Sequence, residues 1–377
     1  MYYLLGGAGY DNFGDELMVR CWLDLLTENG RKKDKIIVDG FSGARLDVAF
    51  AGNYRDVIYG NLINGLSETG KATKFWDAFH RGLTFYARGG FNNYPKLKPS
   101  ADLLLNATVL HLHGGGYLNK HFPRKGFLLG LIIATSRQTG AKLVATGLGL
   151  TPLDIPPSNL QAEVSEAIAQ FALIETRDEN SAELLRKISP FANIVSGLDD
   201  TFVGDMAYVT DKKHRLHLSW NFPRTKDPEF ARVFEYAQKN QDRYDEVVFW
   251  TCAGNDQGTW DLVSEEMPNA RELTFADMLH RPLPVSEGDH MLTARFHPHL
   301  IGARGGAVGG YFSPGSYYDV KHGSVCELGS GFFRIGTDPI KYESFAECAN
   351  SLFRRAPALQ SMKAELYENI KELIAKK

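Results

Sequence analysis

Two arginines and a histidine carry the clearest chemical signal in the sequence. Arg295-Phe296-His297 follows an apolar run of strand character, residues 290–294, and opens a short helix. The guanidinium and the helix dipole at such a junction both favour an anion. An imidazole beside them can add a hydrogen bond or deliver a proton near neutral pH. Arg177, in Arg177-Asp178-x-x-Ser181, stands just past another strand run, 172–176, and offers a second anion ligand or a salt bridge to a neighbouring acid. Tyr317 and Lys321 follow a later strand and can complete a cationic pocket. Such groups recur at strand ends in both halves of the chain, which sets them apart from scattered surface charge.

The amino-terminal segment Gly7-Ala8-Gly9-Tyr10-Asp11-Asn12-Phe13-Gly14-Asp15-Glu16 is a glycine-rich strand-to-helix turn, but its spacing is not G-x-G-x-x-G. Asp15 and Glu16 occupy the first helical turn, where carboxylates already answer the positive helix end and repel a phosphate. A dinucleotide is therefore not expected here. Asn12 and Asp15 suit neutral hydroxyls, with Asp15 able to accept a proton from one; the alternative is that both only cap the helix. His111 and His113 point to one side of a strand and could pair on a metal, yet no third ligand has suitable spacing. Packed or hydrogen-bonded histidines are expected instead, with no metal. Gly114, Gly115 and Gly116 close that strand and let a ligand or a facing backbone approach.

These groups need strands to carry them. Tyr2–Leu5 and residues 36–38, 108–112, 142–146 and 172–176 read as short buried strands separated by amphipathic helices, the pattern of a parallel sheet. Helices are expected from about Gly14, over 127–135, and from a Ser158/Gln161 capping box to about Phe171. Residues 51–101, rich in glycine, asparagine and aromatics, give no clear assignment. A second α/β unit begins near Arg215, with strands at 217–220, 246–251, 290–294 and 309–312. A helix opens at Asp227-Pro228-Glu229, and another capping box is expected at Ser344/Glu347. Leu359, Met362, Leu366, Ile370 and Leu373 form one apolar stripe on a closing helix. The expected organisation is an amino-terminal α/β domain over 1–205, on the acceptor side, and a second over 214–355, on the donor side. A linker lies near 203–214, and a closing helix covers 356–377. Two Rossmann-like domains facing a cleft, tied by a terminal helix, make a GT-B-like α/β fold.

Composition narrows the function classes. A chain of 377 residues exceeds one ordinary core. Its net charge of −3 argues against a dedicated nucleic-acid binder but not against a local basic pocket. Four dispersed cysteines, without a C-x-x-C pair, read as reduced thiols. No run has the features of a signal peptide or a membrane span, so a cytoplasmic protein is expected, with any contact at the inner membrane face peripheral.

The motifs occur in a fixed order: Gly9-x-x-Asn12-x-Gly14-Asp15-Glu16, Gly114-Gly115-Gly116, Gly147-Leu148-Gly149-Leu150-Thr151-Pro152, Arg177-Asp178-x-x-Ser181, Arg295-x-His297 and Tyr318-x-x-Lys321. Together, from residue 1 to about 330, they resemble the polysaccharide pyruvyl transferase family. Two positions depart from its pattern: Asp199-Asp200-Thr201-Phe202 replaces a D-P-A-F-like segment, and Pro298 follows the histidine directly. The resemblance implies transfer of pyruvate from phosphoenolpyruvate to two hydroxyls of a saccharide, free or lipid-linked, as a ketal with release of phosphate. It needs no cofactor beyond that co-substrate. It also implies that Arg177, Arg295 and His297 bind the anion, with Lys321 as the late lysine. The chemistry needs a general acid, for which His297 is the candidate, and a group such as Asp15 to take a hydroxyl proton. Two other readings remain at this level. A nucleotide-sugar glycosyltransferase would need a ribose-binding carboxylate, for which Glu327 is the only tempting residue; a non-catalytic saccharide binder would release no product.

Overall fold

The computed structural model describes residues 1–28, 35–50, 52–69, 72–220, 227–313 and 315–375. The chain divides into two compact units. The first comprises Met1–Tyr10, Asp15–Gly204 and Gln360–Lys377; the second comprises Asp11–Gly14 and Asp205–Leu359.

The first unit is built on a seven-stranded parallel sheet in the order β3-β2-β1-β4-β5-β6-β7. Its strands are β1 (Tyr2–Leu5), β2 (Ile36–Asp39), β3 (Val57–Gly60), β4 (Val109–Leu112), β5 (Lys142–Leu148), β6 (Leu173–Thr176) and β7 (Ile194–Ser196). Helices α1 (Phe13–Glu28), α2 (Gly43–Phe50), α3 (Leu62–Glu68), α4 (Phe75–Leu83), α5 (Lys98–Leu105), α6 (Lys125–Thr139), α7 (Gln161–Ile168) and α8 (Glu179–Ile188) connect them. The central strands are buried throughout, so their sequences read as unbroken apolar runs rather than alternating ones. Leu5, Ile37, Leu110, Leu143 and Ile174 pack under Phe79, Leu128 and Ile132 in one core. Strand order reverses between β1 and β4, and the loops leaving those two strands carry the glycine turns. Open α/β sheets bind ligands at that position.

The second unit repeats the design with six parallel strands in the order β10-β9-β8-β11-β12-β13. These are β8 (Arg215–Ser219), β9 (Glu246–Trp250), β10 (Arg271–Leu273), β11 (His290–Thr293), β12 (Val308–Tyr311) and β13 (Phe333–Arg334). Helices α9 (Pro228–Asn240), α10 (Gln257–Glu266), α11 (Phe275–His280), α12 (Phe296–Arg304) and α13 (Ser316–Glu327) lie between them, and α14 (Leu352–Ala375) ends the chain. Leu218, Trp220, Phe249, Leu292 and Phe312 form its core. Its strand order reverses between β8 and β11, and Arg295 lies just beyond β11.

Three local expectations are corrected. Ser158 does not cap α7; the helix starts at Gln161, and its cap residue Leu160 makes no side-chain bond. Ser344 lies inside a short 3-10 turn, Tyr342–Phe345, too brief for a capping box to serve a helix. On α14, Met362 is 61% exposed, while Lys363 and Tyr367 turn inward with Leu359 and Ile370. An apolar-stripe reading rejects a buried lysine, but Lys363 has carboxylate partners waiting. None of the four cysteines forms a disulfide. Among the described residues, no helix is long and apolar enough to cross a membrane.

Candidate functional site

In the first unit the two glycine turns at the switch point are locked by side chains. The His113 ring lies so close to Gly6 that any side chain at position 6 would overlap it. The Asp15 carboxyl sits against both turns: a methyl at Gly7 would meet it at 3.5 Å, and one at Gly115 at 3.4 Å. Glu16 is buried and accepts the backbone N–H groups of Gly9 (2.8 Å) and Tyr10 (3.1 Å). The first helical turn thus stabilises its own loop with a carboxylate, while the half-buried Asp15 faces the glycines.

The triple glycine is held from beneath. Gly114 N–H donates to Asp200 at 2.6 Å, and Gly115 bridges to the irregular end of β5 through its N–H to Gly147 O and its carbonyl to Gly149 N. These backbone groups serve the fold, so the glycines give close approach rather than free N–H donors. The same Asp200 oxygen accepts from Trp22 Nε1 and Thr146 Oγ1, each at 2.8 Å. Since Thr146 gives its proton to Asp200, it accepts from His111 Nε2 (2.8 Å), and Tyr2 OH donates to His111 Nδ1 (2.7 Å). Burial pushes the His111 imidazole down to about 3, so it stays neutral in this tautomer. His113 donates from Nδ1 to Gly114 O at 3.1 Å.

Lys363, on α14, reaches Asp200 Oδ1 at 2.7 Å, Leu198 O at 3.0 Å and Glu175. Burial alone would raise Asp200, but the Lys363 ammonium outweighs it and keeps the carboxyl below its usual range. Glu175 is raised by burial. Arg177 is 6% exposed, and its Nη1 pairs with Asp199 at 3.1 Å while its guanidinium lies over Gly149. Asp178 caps α8 by accepting Ser181 N–H, and Ser181 Oγ accepts Leu150 N–H. Arg177 therefore enters the site with one edge already committed to an acid. Asp15, the three glycines and Arg177 form one continuous patch through Gly115 and Gly149.

In the second unit Arg295 is the cap residue of α12, and its Nη2 reaches Asn255 Oδ1 (2.9 Å) and the buried Asp256. The other Asp256 oxygen accepts the N–H groups of Cys252 (2.9 Å) and Ala253 (3.0 Å). Burial raises the Asp256 carboxyl while Arg295 opposes it. The segment Asp11–Gly14 docks on the same turn: Asn12 forms a bridge with Ala253, Phe13 N–H donates to Cys252 O at 2.8 Å, and Phe13 packs edge-on to Trp250. The His297 ring lies directly on Gly14, where any side chain would overlap it. Asn12, Gly14, Arg295 and His297 are thus assembled around one buried carboxylate, although they come from opposite ends of the sequence.

Tyr317 and Lys321 meet on α13, where the Lys321 ammonium lies 4.0 Å from the Tyr317 ring centre and 5.4 Å from that of Tyr318. Helices α12 and α13 are joined below by His299 and His322, whose Nδ1 atoms share a hydrogen bond at 2.9 Å; His299 Nε2 meets Ser330 Oγ at 2.9 Å. Glu327 ends α13 at the exposed surface.

Residue-type reasoning did not find Asp256, Asn255, Asp200 or Lys363. Asp256 had a visible signal, an acid in the turn directly after a strand. Lys363 had none, since its partners lie far away in sequence.

A model of the family described as polysaccharide pyruvyl transferase matches residues 12–248, more than half of the chain. The chain belongs to this family. No curated protein matches it. Its fold is shared with a glycosyltransferase from Rickettsia africae ESF-5, at 9% identity and TM-score 0.55 over 100% of this chain and 99% of that one. Similar likeness extends to a UDP-GlcNAc 2-epimerase from Neisseria meningitidis, at 10% identity and TM-score 0.53 over 98% and 100%. Anabaena Alr3699/HepE, solved with UDP and glucose, matches at 10% identity and TM-score 0.52 over 98% and 100%. At such identities the likeness concerns the fold, which is of the GT-B type: two parallel α/β sheets and a carboxyl-terminal helix. The glycine turns and Arg177 fall inside the span matched by the pyruvyl transferase model; Arg295, His297 and Lys321 lie beyond it.

Proposed function

We propose that this member of the family transfers the pyruvyl group of phosphoenolpyruvate to two hydroxyls of a saccharide in cell-surface polysaccharide synthesis. The observation that supports the reading is the Arg295–His297 pair, a guanidinium and an imidazole that open α12 directly after β11, at a sheet switch point. Phosphoenolpyruvate presents a carboxylate and a phosphate, and arginines bind such groups with charge-assisted hydrogen bonds. Arg295 and Arg177 serve as the guanidinium ligands, and Lys321, backed by Tyr317, neutralises the phosphate as it leaves. Asn12 and the glycines Gly114, Gly115 and Gly116 receive the saccharide.

His297, as imidazolium, protonates the methylene carbon, and the electron pair of the double bond forms that C–H bond. The central carbon becomes oxocarbenium-like and takes the first sugar hydroxyl, whose proton passes to Asp15. A second hydroxyl then replaces phosphate at that carbon, closing the ketal, and its proton leaves with the phosphate. One C–O bond to phosphorus-bearing oxygen is broken, two to the sugar are made, and the methylene has become a methyl group.

Phosphate release measured with phosphoenolpyruvate, with saccharide, and with both tests the reading. Release only with both is expected; release of a nucleotide from a UDP-sugar, or no turnover with either donor, would overturn it.

A further inference from the structure

Tyr10 stands apart from the other aromatics at the switch point of the first unit. It is 67% exposed, and a single exposed aromatic is ordinary in itself. What is not ordinary is how its loop is built. Buried Glu16 accepts the N–H of Tyr10 as well as that of Gly9. The residues on either side, Gly9 (φ 88°) and Asp11 (φ 53°), are both in the left-handed region. Aspartate enters that region more readily than most non-glycine residues, and the two positive φ values shape the turn that presents Tyr10.

The ring is also backed. Phe41, on the loop after β2, meets Tyr10 edge-on at 5.5 Å, and Phe41 N–H bonds Ala8 O at 2.8 Å. Beneath Phe41 lies the buried Lys125 ammonium, 3.8 Å from its ring centre. That ammonium is fixed by Asn64 Oδ1 (2.9 Å), Ser67 Oγ (3.3 Å) and Glu68 (2.9 Å). The Arg45 guanidinium is 5.9 Å from the Tyr10 ring centre. An exposed aromatic ring, with Phe41 against it and the Arg45 guanidinium over it, is therefore presented at the carboxyl edge of the sheet, in the loop that leads to Asp15.

We propose that Tyr10, backed by Phe41 and flanked by Arg45, is a stacking platform for a pyranose ring of the acceptor. The apolar C–H face of a pyranose covers an aromatic ring, while its equatorial hydroxyls point outward to charged donors and acceptors, here Arg45 and Asp15. A flat anionic donor would gain nothing from the ring face, whose quadrupole is negative. This inference rests on the saccharide-acceptor reading above and assigns that acceptor its first recognition element.

Saturation-transfer NMR on the full chain tests it, using the methyl glycosides of galactose, glucose, mannose and N-acetylmannosamine without phosphoenolpyruvate. Transfer to one C–H face of at least one glycoside is expected, lost in Tyr10→Ala and kept in Tyr10→Phe. In turnover, Tyr10→Ala is expected to raise the acceptor KM about tenfold or more while leaving the phosphoenolpyruvate KM unchanged. Equal transfer in Tyr10→Ala, or none from any of the four glycosides, would overturn the platform. Because the NMR arm contains no donor, Tyr10-dependent binding without phosphate release would keep the platform and defeat pyruvyl transfer. Phosphate release with an unchanged acceptor KM in Tyr10→Ala would do the reverse.

Discussion

Single contacts decide the chemistry at the residue scale, and the contact of His297 with Gly14 is the sharpest of them. A side chain at Gly14 would occupy the space of the imidazole, so Gly14→Ala must move His297 or its helix. Alanine is the better helix former, and α1 itself gains from the change. We therefore expect Gly14→Ala to lose kcat as His297→Ala does, by roughly a hundredfold or more as for removal of a general acid, while circular dichroism remains that of the parent. Wild-type turnover in Gly14→Ala would show that the position of His297 does not matter. The Arg295 and His297 candidates were legible because both follow a strand directly, where side-chain type and place in the chain speak together. Asp256 was not, because a buried acid beside an arginine has no pattern until the fold joins them.

At the scale of elements, α14 shows why apolar periodicity can mislead. Its buried face runs through Leu359, Lys363, Tyr367 and Ile370, not through Met362. The inward lysine supplies an ammonium to two buried carboxylates, Glu175 and Asp200, and Asp200 in turn holds Gly114. Lys363→Met would leave those acids without their countercharge. Breaking a buried pair from one side costs about 3–5 kcal/mol, and the loss should appear in urea unfolding of the full chain. Adding Glu175→Gln to Lys363→Met should recover part of it. A change below about 1 kcal/mol would mean that the cluster contributes little to stability. Strands β1, β4, β5 and β6 were legible because parallel strands buried on both faces are apolar runs. Residues 51–101 were not, since their described parts fold as β3, α3, α4, short 3-10 turns and the start of α5, pieces too brief for a period to register.

For the molecule as a whole, buried neutral histidines set the response to acid. His111, His290 and His322 are each pushed down to about 3, chiefly by burial. In the unfolded chain a histidine titrates near 6.5. As pH falls from about 6.5 towards 3, the unfolded state takes up these protons and the folded state does not. Their contribution to stability is therefore complete above pH 6.5 and is lost across that window, at up to about 4 kcal/mol per pH unit for three protons. Unfolding free energies measured at intervals from pH 7 to 4 should fall accordingly; a flat profile would mean that these histidines are protonated in the fold.

The repeated strand order, with candidate site residues at each reversal, was legible as two α/β units because every βα step has its own pattern. The assembly of residues 11–14 with residues 252–256 and 295–297, all within the second unit, was not, because it joins segments more than two hundred residues apart in sequence. The central claim is a ketal made from phosphoenolpyruvate. Its most direct test is the product formed in D2O with both substrates, examined by NMR and mass spectrometry alongside the phosphate released. One phosphate per ketal is expected, with a ketal methyl group carrying one deuteron, placed there when the methylene is protonated. Phosphate without a ketal, or a glycoside formed from a nucleotide sugar, would contradict it.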